Sequence, residues 1–332
     1  MEPMLSRRRF VGISAAATGL ALVPFGGIAR ADSGVVSWRG QAMGAVASLQ
    51  IHHHDRSVAR RLIERAVAET QRLERVFSLY REDSALVSLN RHGVLVAPPQ
   101  DLVDLLGECR RHFDLTGGAF DPTVQALWTL HRRHFSQADA AAEGPSQRAL
   151  GEARGKIGFD RVSIGRDRIA FPRGMSLTLN GIAQGYVTDR IVDLLRSEGI
   201  DRSIVDMGES RAIGPKPDGS AWRVGIVDPR QPSRVADQLE MINQAAATSG
   251  GYGFRFDAAG AFNHLFDPVT GQSPKRYLSV TTVMETATAA DALSTAFSLM
   301  SEEAIGMALR SEGAGRAHLI LAEGRSSVIG SG

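Results

Sequence analysis

Asp291 and Thr295 are four residues apart in Thr288-Ala289-Ala290-Asp291-Ala292-Leu293-Ser294-Thr295-Ala296-Phe297. On a helix that spacing places a carboxylate and a hydroxyl on one face, one turn apart. The alanines around them leave room for close approach. A hard divalent cation such as Mg²⁺ takes one or two carboxylates, a few neutral oxygens and the oxygens of a substrate phosphate, so this helix start could supply half of such a site. A local reading also fits: Thr288 and Asp291 have the S/T-x-x-D/E spacing of a helix N-cap, and Asp291 could simply cap its own helix.

Other segments have to bring a ligand to that pair. Asn180-Gly181-Ile182-Ala183-Gln184-Gly185-Tyr186 opens a helix predicted over Gly181–Glu198, and its glycines let a ligand approach the backbone. Gly118-Ala119-Phe120-Asp121-Pro122-Thr123 reads as a turn that starts another helix. Strand patterns cover Val35–Ile51, Ser203–Met207, Trp222–Val227, Ser279–Met284 and His318–Leu321. Amphipathic helices are predicted over Ser57–Val76 and Asp101–Phe113, and a shorter helix over Glu302–Leu309. Residues 136–145 read as an exposed loop. With no repeat and no domain linker, this mixed order predicts one α+β domain, helices over antiparallel or mixed sheet, across residues 32–332.

Composition narrows the function classes. The chain has 332 residues, 43% hydrophobic and 22% charged, as expected of a globular protein. The formal charge is +2, but residues 1–31 contribute four arginines and one glutamate, leaving −1 for the rest. No nucleic-acid partner is expected from such a balance. Ser6-Arg7-Arg8-Arg9-Phe10-Val11 is a twin-arginine pattern, followed by a weakly apolar run and Ala29-Arg30-Ala31, a small-x-small cleavage site. The expectation is export to the periplasm as a folded protein, cleavage after Ala31 and no stable membrane anchor. Cys109 is the one cysteine, so no intramolecular disulfide forms; its register with Leu102, Leu106 and Phe113 makes it a buried thiol. His52-His53-His54 ends a strand, where adjacent rings should face opposite ways and bind no metal together.

In order along the chain, Met43-Gly44, Phe77–Asn90, Gly118–Val124, Gly181–Tyr186, Trp222–Pro229, Thr248–Tyr252, His264–Gly271 and Asp291–Thr295 together resemble the ApbE family of periplasmic FAD:protein FMN transferases. The resemblance implies a T-fold-like α+β domain. It also implies FAD as substrate, Mg²⁺ against the pyrophosphate, transfer of FMN to a Thr or Ser hydroxyl of an acceptor protein, and release of AMP. Carried over by motif, Asp291, Thr295 and the Gly181 carbonyl would hold the metal. Met43, Tyr80, Ala119, Phe120, Asp121, Thr178, Gln184, Phe266 and Ser294 would contact FAD, and His264 would accept the hydroxyl proton. Each has an ordinary alternative: Tyr80, Phe120 and Phe266 as core, Asp121-Pro122 as a turn, His264 with Asp267 as a turn pair.

The pattern is departed from at three places. Thr178 stands where the family has an acid, Gln184 where it has lysine or glutamate, and Glu209 where it has a small residue. Two further activities fit the same residues: hydrolysis of FAD to FMN and AMP, and flavin binding without turnover. A third possibility is an accessory role for one redox system, such as nitrous oxide reductase.

Overall fold

The structure is a computed structural model and describes residues 20–22 and 34–330. The twin-arginine motif and the Ala31 cleavage site lie outside the described residues. In chain order the elements are β1 (Leu20–Leu22), β2 (Val35–Ala42), β3 (Ala45–His52), α1 (Arg56–Phe77), α2 (Ala85–His92), β4 (Val94–Val96), α3 (Gln100–Leu115), α4 (Gln125–Phe135), α5 (Gln147–Arg154), β5 (Ser163–Ile164), β6 (Arg168–Ala170), α6 (Ala183–Ser197), β7 (Ser203–Asp206), β8 (Ser210–Ile213), β9 (Trp222–Asp228), β10 (Gln231–Met241), β11 (Ala245–Ser249), β12 (Tyr277–Met284), α7 (Ala287–Phe297), α8 (Glu302–Glu312), β13 (Arg316–Leu321) and β14 (Ser326–Gly330).

Eight strands form one sheet in the order β14-β13-β12-β11-β8-β7-β3-β2. Every pairing in it is antiparallel. Alternation sorts its side chains to two faces. Leu49, Ile51, Val205, Ala245 and Ala247 join the large core with α1, α3, α6 and α7. Their neighbours Ile204, Ala212, Ala246 and Val283 face the other way, against Trp222, Val224, Ile226, Leu239 and Met241 of β9 and β10. The sheet is therefore covered by helices on one face and by the small sheet β1-β9-β10 on the other. Each fully buried Leu or Ile contributes about 1.5–3 kcal/mol of transfer free energy. Cys109 is buried among these helices, and burial pushes its thiol pKa well up, which suits an inert thiol.

Two expectations need correction. His53 and His54 do not point to opposite faces; their rings stack at 4.4 Å, because the strand ends at His52 and alternation ends with it. Asp291 does not cap its own helix. The N-cap of α7 is Thr286, whose hydroxyl accepts from Ala289 N at 3.2 Å. Among the described residues no helix is long and apolar enough to cross a membrane.

Candidate functional site

Helices α6 and α7 hold each other by their ends. The Asp291 carboxylate on α7 accepts from the Gly185 N–H in the first turn of α6, at 3.0 Å. In return Asp189 on α6 accepts from Ala287 N at 2.9 Å and Thr288 N at 2.8 Å, the free donors that begin α7. Arg211 of β8 pairs with the same Asp189 carboxylate, and both side chains are buried. The helices meet this closely because Gly185 has no side chain: a Cβ there would lie 2.2 Å from the Ala287 carbonyl oxygen.

This junction forms one wall of a cleft. The cleft brings together Ala119, Phe120, Asp121, Thr178, Gly181, Gln184, His264, Phe266, Asp291 and Thr295. Glu209, Thr248, Ser249, Asn180 and Trp128 line it too. Gly181 sits against Thr295: a Cβ on it would be 2.8 Å from the threonine hydroxyl oxygen. Burial, above all, raises the Asp291 carboxyl to about 7, while the Gly185 N–H opposes the shift and nearby Asp189 adds to it.

The remaining candidates stand differently. Tyr80 is 44% exposed beside the cleft, and Asn180 Nδ2 donates to its hydroxyl at 3.4 Å. Met43 lies in the β2–β3 turn with φ of 50°, followed by Gly44 at 81°, the left-handed pair of a tight hairpin; its N–H donates to Glu74 Oε1 at 2.6 Å. Met43 and Tyr80 do not line the cleft itself. Ser294 does not line it either. It is 1% exposed, lies behind the wall, and its hydroxyl shares a 2.9 Å hydrogen bond with Ser249, which also meets Thr295 at 3.2 Å. Asp121 lines the cleft, but its carboxylate already accepts from Thr123 N at 2.7 Å and Phe159 N at 3.2 Å. Its turn-forming role is thus real, and it does not offer a free carboxylate to a metal.

His264 is better placed for proton transfer. Its Nδ1 lies 3.3 Å from the Phe254 carbonyl oxygen. A carbonyl can only accept, so Nδ1 carries the proton and Nε2 is left as an acceptor. Burial also holds its pKa below the usual value, keeping the ring neutral.

The cleft also has aromatic lining in Trp128 and Phe266. Phe266 packs on His131 at 4.8 Å, and Trp128 lies 6.4 Å from Phe254 and 6.1 Å from Phe256. The Arg132 guanidinium sits 5.3 Å from the Trp128 ring centre. Trp128, Ser249 and Asp189 have no role assigned to them from the sequence alone. Trp128 follows the Asp121-Pro122 turn by less than two helical turns, and Asp189 is an acid on the buried face of α6; those were the available signals.

The ApbE family model matches residues 43–319. A FAD:protein FMN transferase of Vibrio cholerae is 32% identical over 240 residues, 70% of this chain and 71% of that protein. A FAD:protein FMN transferase of Treponema pallidum is 31% identical over 263 residues, 73% and 72% of the respective chains. The crystal structure of the ApbE protein of Thermotoga maritima superposes with a TM-score of 0.78 at 29% identity, covering 89% of this chain and 97% of that one.

Proposed function

This chain belongs to the ApbE family, and on that premise we propose that it is a FAD:protein FMN transferase that uses Mg²⁺ and a Thr or Ser acceptor. The observation that carries the proposal is the meeting of buried Asp291, Thr295, Gly181 and His264 in one cleft. The residues fit a hard cation. Asp291 is a buried carboxylate with a hydroxyl and a glycine backbone beside it, and among the described residues no group of three or more His, Cys, Asp or Glu could hold a metal. A site with so few protein charges suits a cation that is also bound by substrate phosphates. Asp291, Thr295 and the Gly181 carbonyl would hold it; when bound, it neutralises charge developing on the phosphates.

The chain's own groups account for the rest. The cleft walls bind FAD and orient its pyrophosphate toward the α6–α7 junction, where the first turn of α6 adds partial positive charge. The acceptor hydroxyl oxygen forms a bond to the FMN phosphorus as the pyrophosphate P–O bond to AMP breaks. His264 Nε2 takes the hydroxyl proton, and AMP departs with the bridging oxygen and its electron pair. The twin-arginine pattern supports the further proposal that the acceptor is a periplasmic or membrane redox protein.

Incubation with FAD, Mg²⁺ and a Thr-containing acceptor should give an acceptor heavier by one FMN, with AMP in equal amount. Asp291→Ala should lower the rate by about 100-fold or more, the scale of losing a main electrostatic contact. AMP release without any acceptor gaining mass would instead identify a hydrolase.

A further inference from the structure

Glu209 has no role in the reaction above, yet it lines the same cleft as Asp291 and is 6% exposed. It occupies the turn between β7 and β8. Gly208 precedes it with φ of 113°, and a Cβ at that position would lie 2.6 Å from the Gln184 side chain. The missing side chain lets the turn press against the start of α6. Thr188 then pins it: the Thr188 hydroxyl donates to the Glu209 carbonyl at 2.9 Å and accepts from Met207 N at 3.3 Å. The backbone on both sides of Glu209 is thus fixed by α6, the helix that Asp291 caps.

A fixed, buried carboxylate needs a compensating charge or a proton. Glu209 and Asp291 both line the cleft, and at 6% and 4% exposure both carboxylates are withdrawn from bulk solvent. Two carboxylates brought to one enclosed space are a poor arrangement for an empty cleft and a good one for a dication.

We propose that Glu209 is a second carboxylate of the cation site, acting with Asp291 either directly or through a water bound to the metal. The inference rests on the cation-dependent reading given above and deepens it. Its neutral counterparts are Thr178 and Gln184, which line the cleft without formal charge.

Titration of the folded protein with Mn²⁺ alone, following free Mn²⁺ by electron paramagnetic resonance, separates the two claims. The expected result is measurable binding in the parent, at least tenfold weaker binding in Glu209→Gln, and none in Asp291→Asn. Glu209→Asp, which restores the charge on a shorter stem, should recover part of the affinity. Parent-like binding by Glu209→Gln with loss in Asp291→Asn overturns the role of Glu209 and leaves the cation reading standing. Unchanged binding in both variants overturns both. Equal weakening in Glu209→Gln and Glu209→Asp also overturns the inference, because a packing role does not distinguish charge.

Discussion

The two walls of the cleft are built on different principles. The α6–α7 wall is made of helix ends, with charged side chains spent on backbone donors: Asp189 on Ala287 and Thr288, Asp291 on Gly185. Elsewhere the cleft is lined by Trp128 of α4 and by Phe266, which are backed by His131, Phe254 and Phe256 at ring distances of 4.8–6.4 Å. Hydrogen bonds fix direction to a few tenths of an ångström, whereas ring contacts tolerate sliding. On the proposed function, the first wall would serve phosphates and a cation, whose geometry is demanding. The second suits the flat ring systems of a dinucleotide.

The largest expected effect tests whether the helix-end wall is one unit. Asp189→Ala leaves Arg211 buried without its partner and opens the start of α7. Breaking a buried pair this way should cost about 3–5 kcal/mol in urea unfolding. A loss under 1 kcal/mol would mean that the two helices are held by packing alone.

A second experiment asks what the same wall gives up for function. The folded Asp291 carboxyl is raised from 3.8 to about 7. Between those values the folded state binds more protons than the unfolded state, so stability falls as pH rises through that window. Above pH 7 the full cost of the buried charge is present. Asp291→Asn removes it and should therefore be more stable than the parent at pH 8 without metal, by on the order of 2–4 kcal/mol, with the gap closing near pH 4. Thermal melts at the two pH values give the answer. Equal melting temperatures at pH 8 would show that the site carries no such penalty.

The smallest effect belongs to the aromatic wall. Trp128→Leu should weaken FAD binding about three- to tenfold, the size of one ring-stacking contact, measured by flavin fluorescence. A 100-fold loss would mean that this wall also positions the phosphates.

The parts of this arrangement that were legible in the sequence are those with local causes. The helices α1 and α3 showed in 3.6-residue apolar spacing, and the strands β2 and β3 in the strand pattern of Val35–Ile51. Asp291 and Thr295 could be placed on one helix for the same reason. The eight-residue helices α2 and α5 were too short to show a period. Strand β10 was hidden because nearly every side chain on it is exposed, leaving no apolar alternation to read. The hydrogen-bond partner of Asp291 had no local signal: Gly185 lies 106 residues away, and only the family resemblance brought its segment to Asp291. Glu209 stood out only as an acid where the family resemblance called for a small residue; its burial had to come from the fold.

That long separation bears on how the chain acquires its activity. Contacts between distant parts of a chain form slowly, and this one joins the two helix starts that wall the cleft. Helices α6 and α7 can each begin to form from nearby residues, but neither end is satisfied until the other arrives. The two helix starts are therefore completed together, and a change at either one is felt at the other.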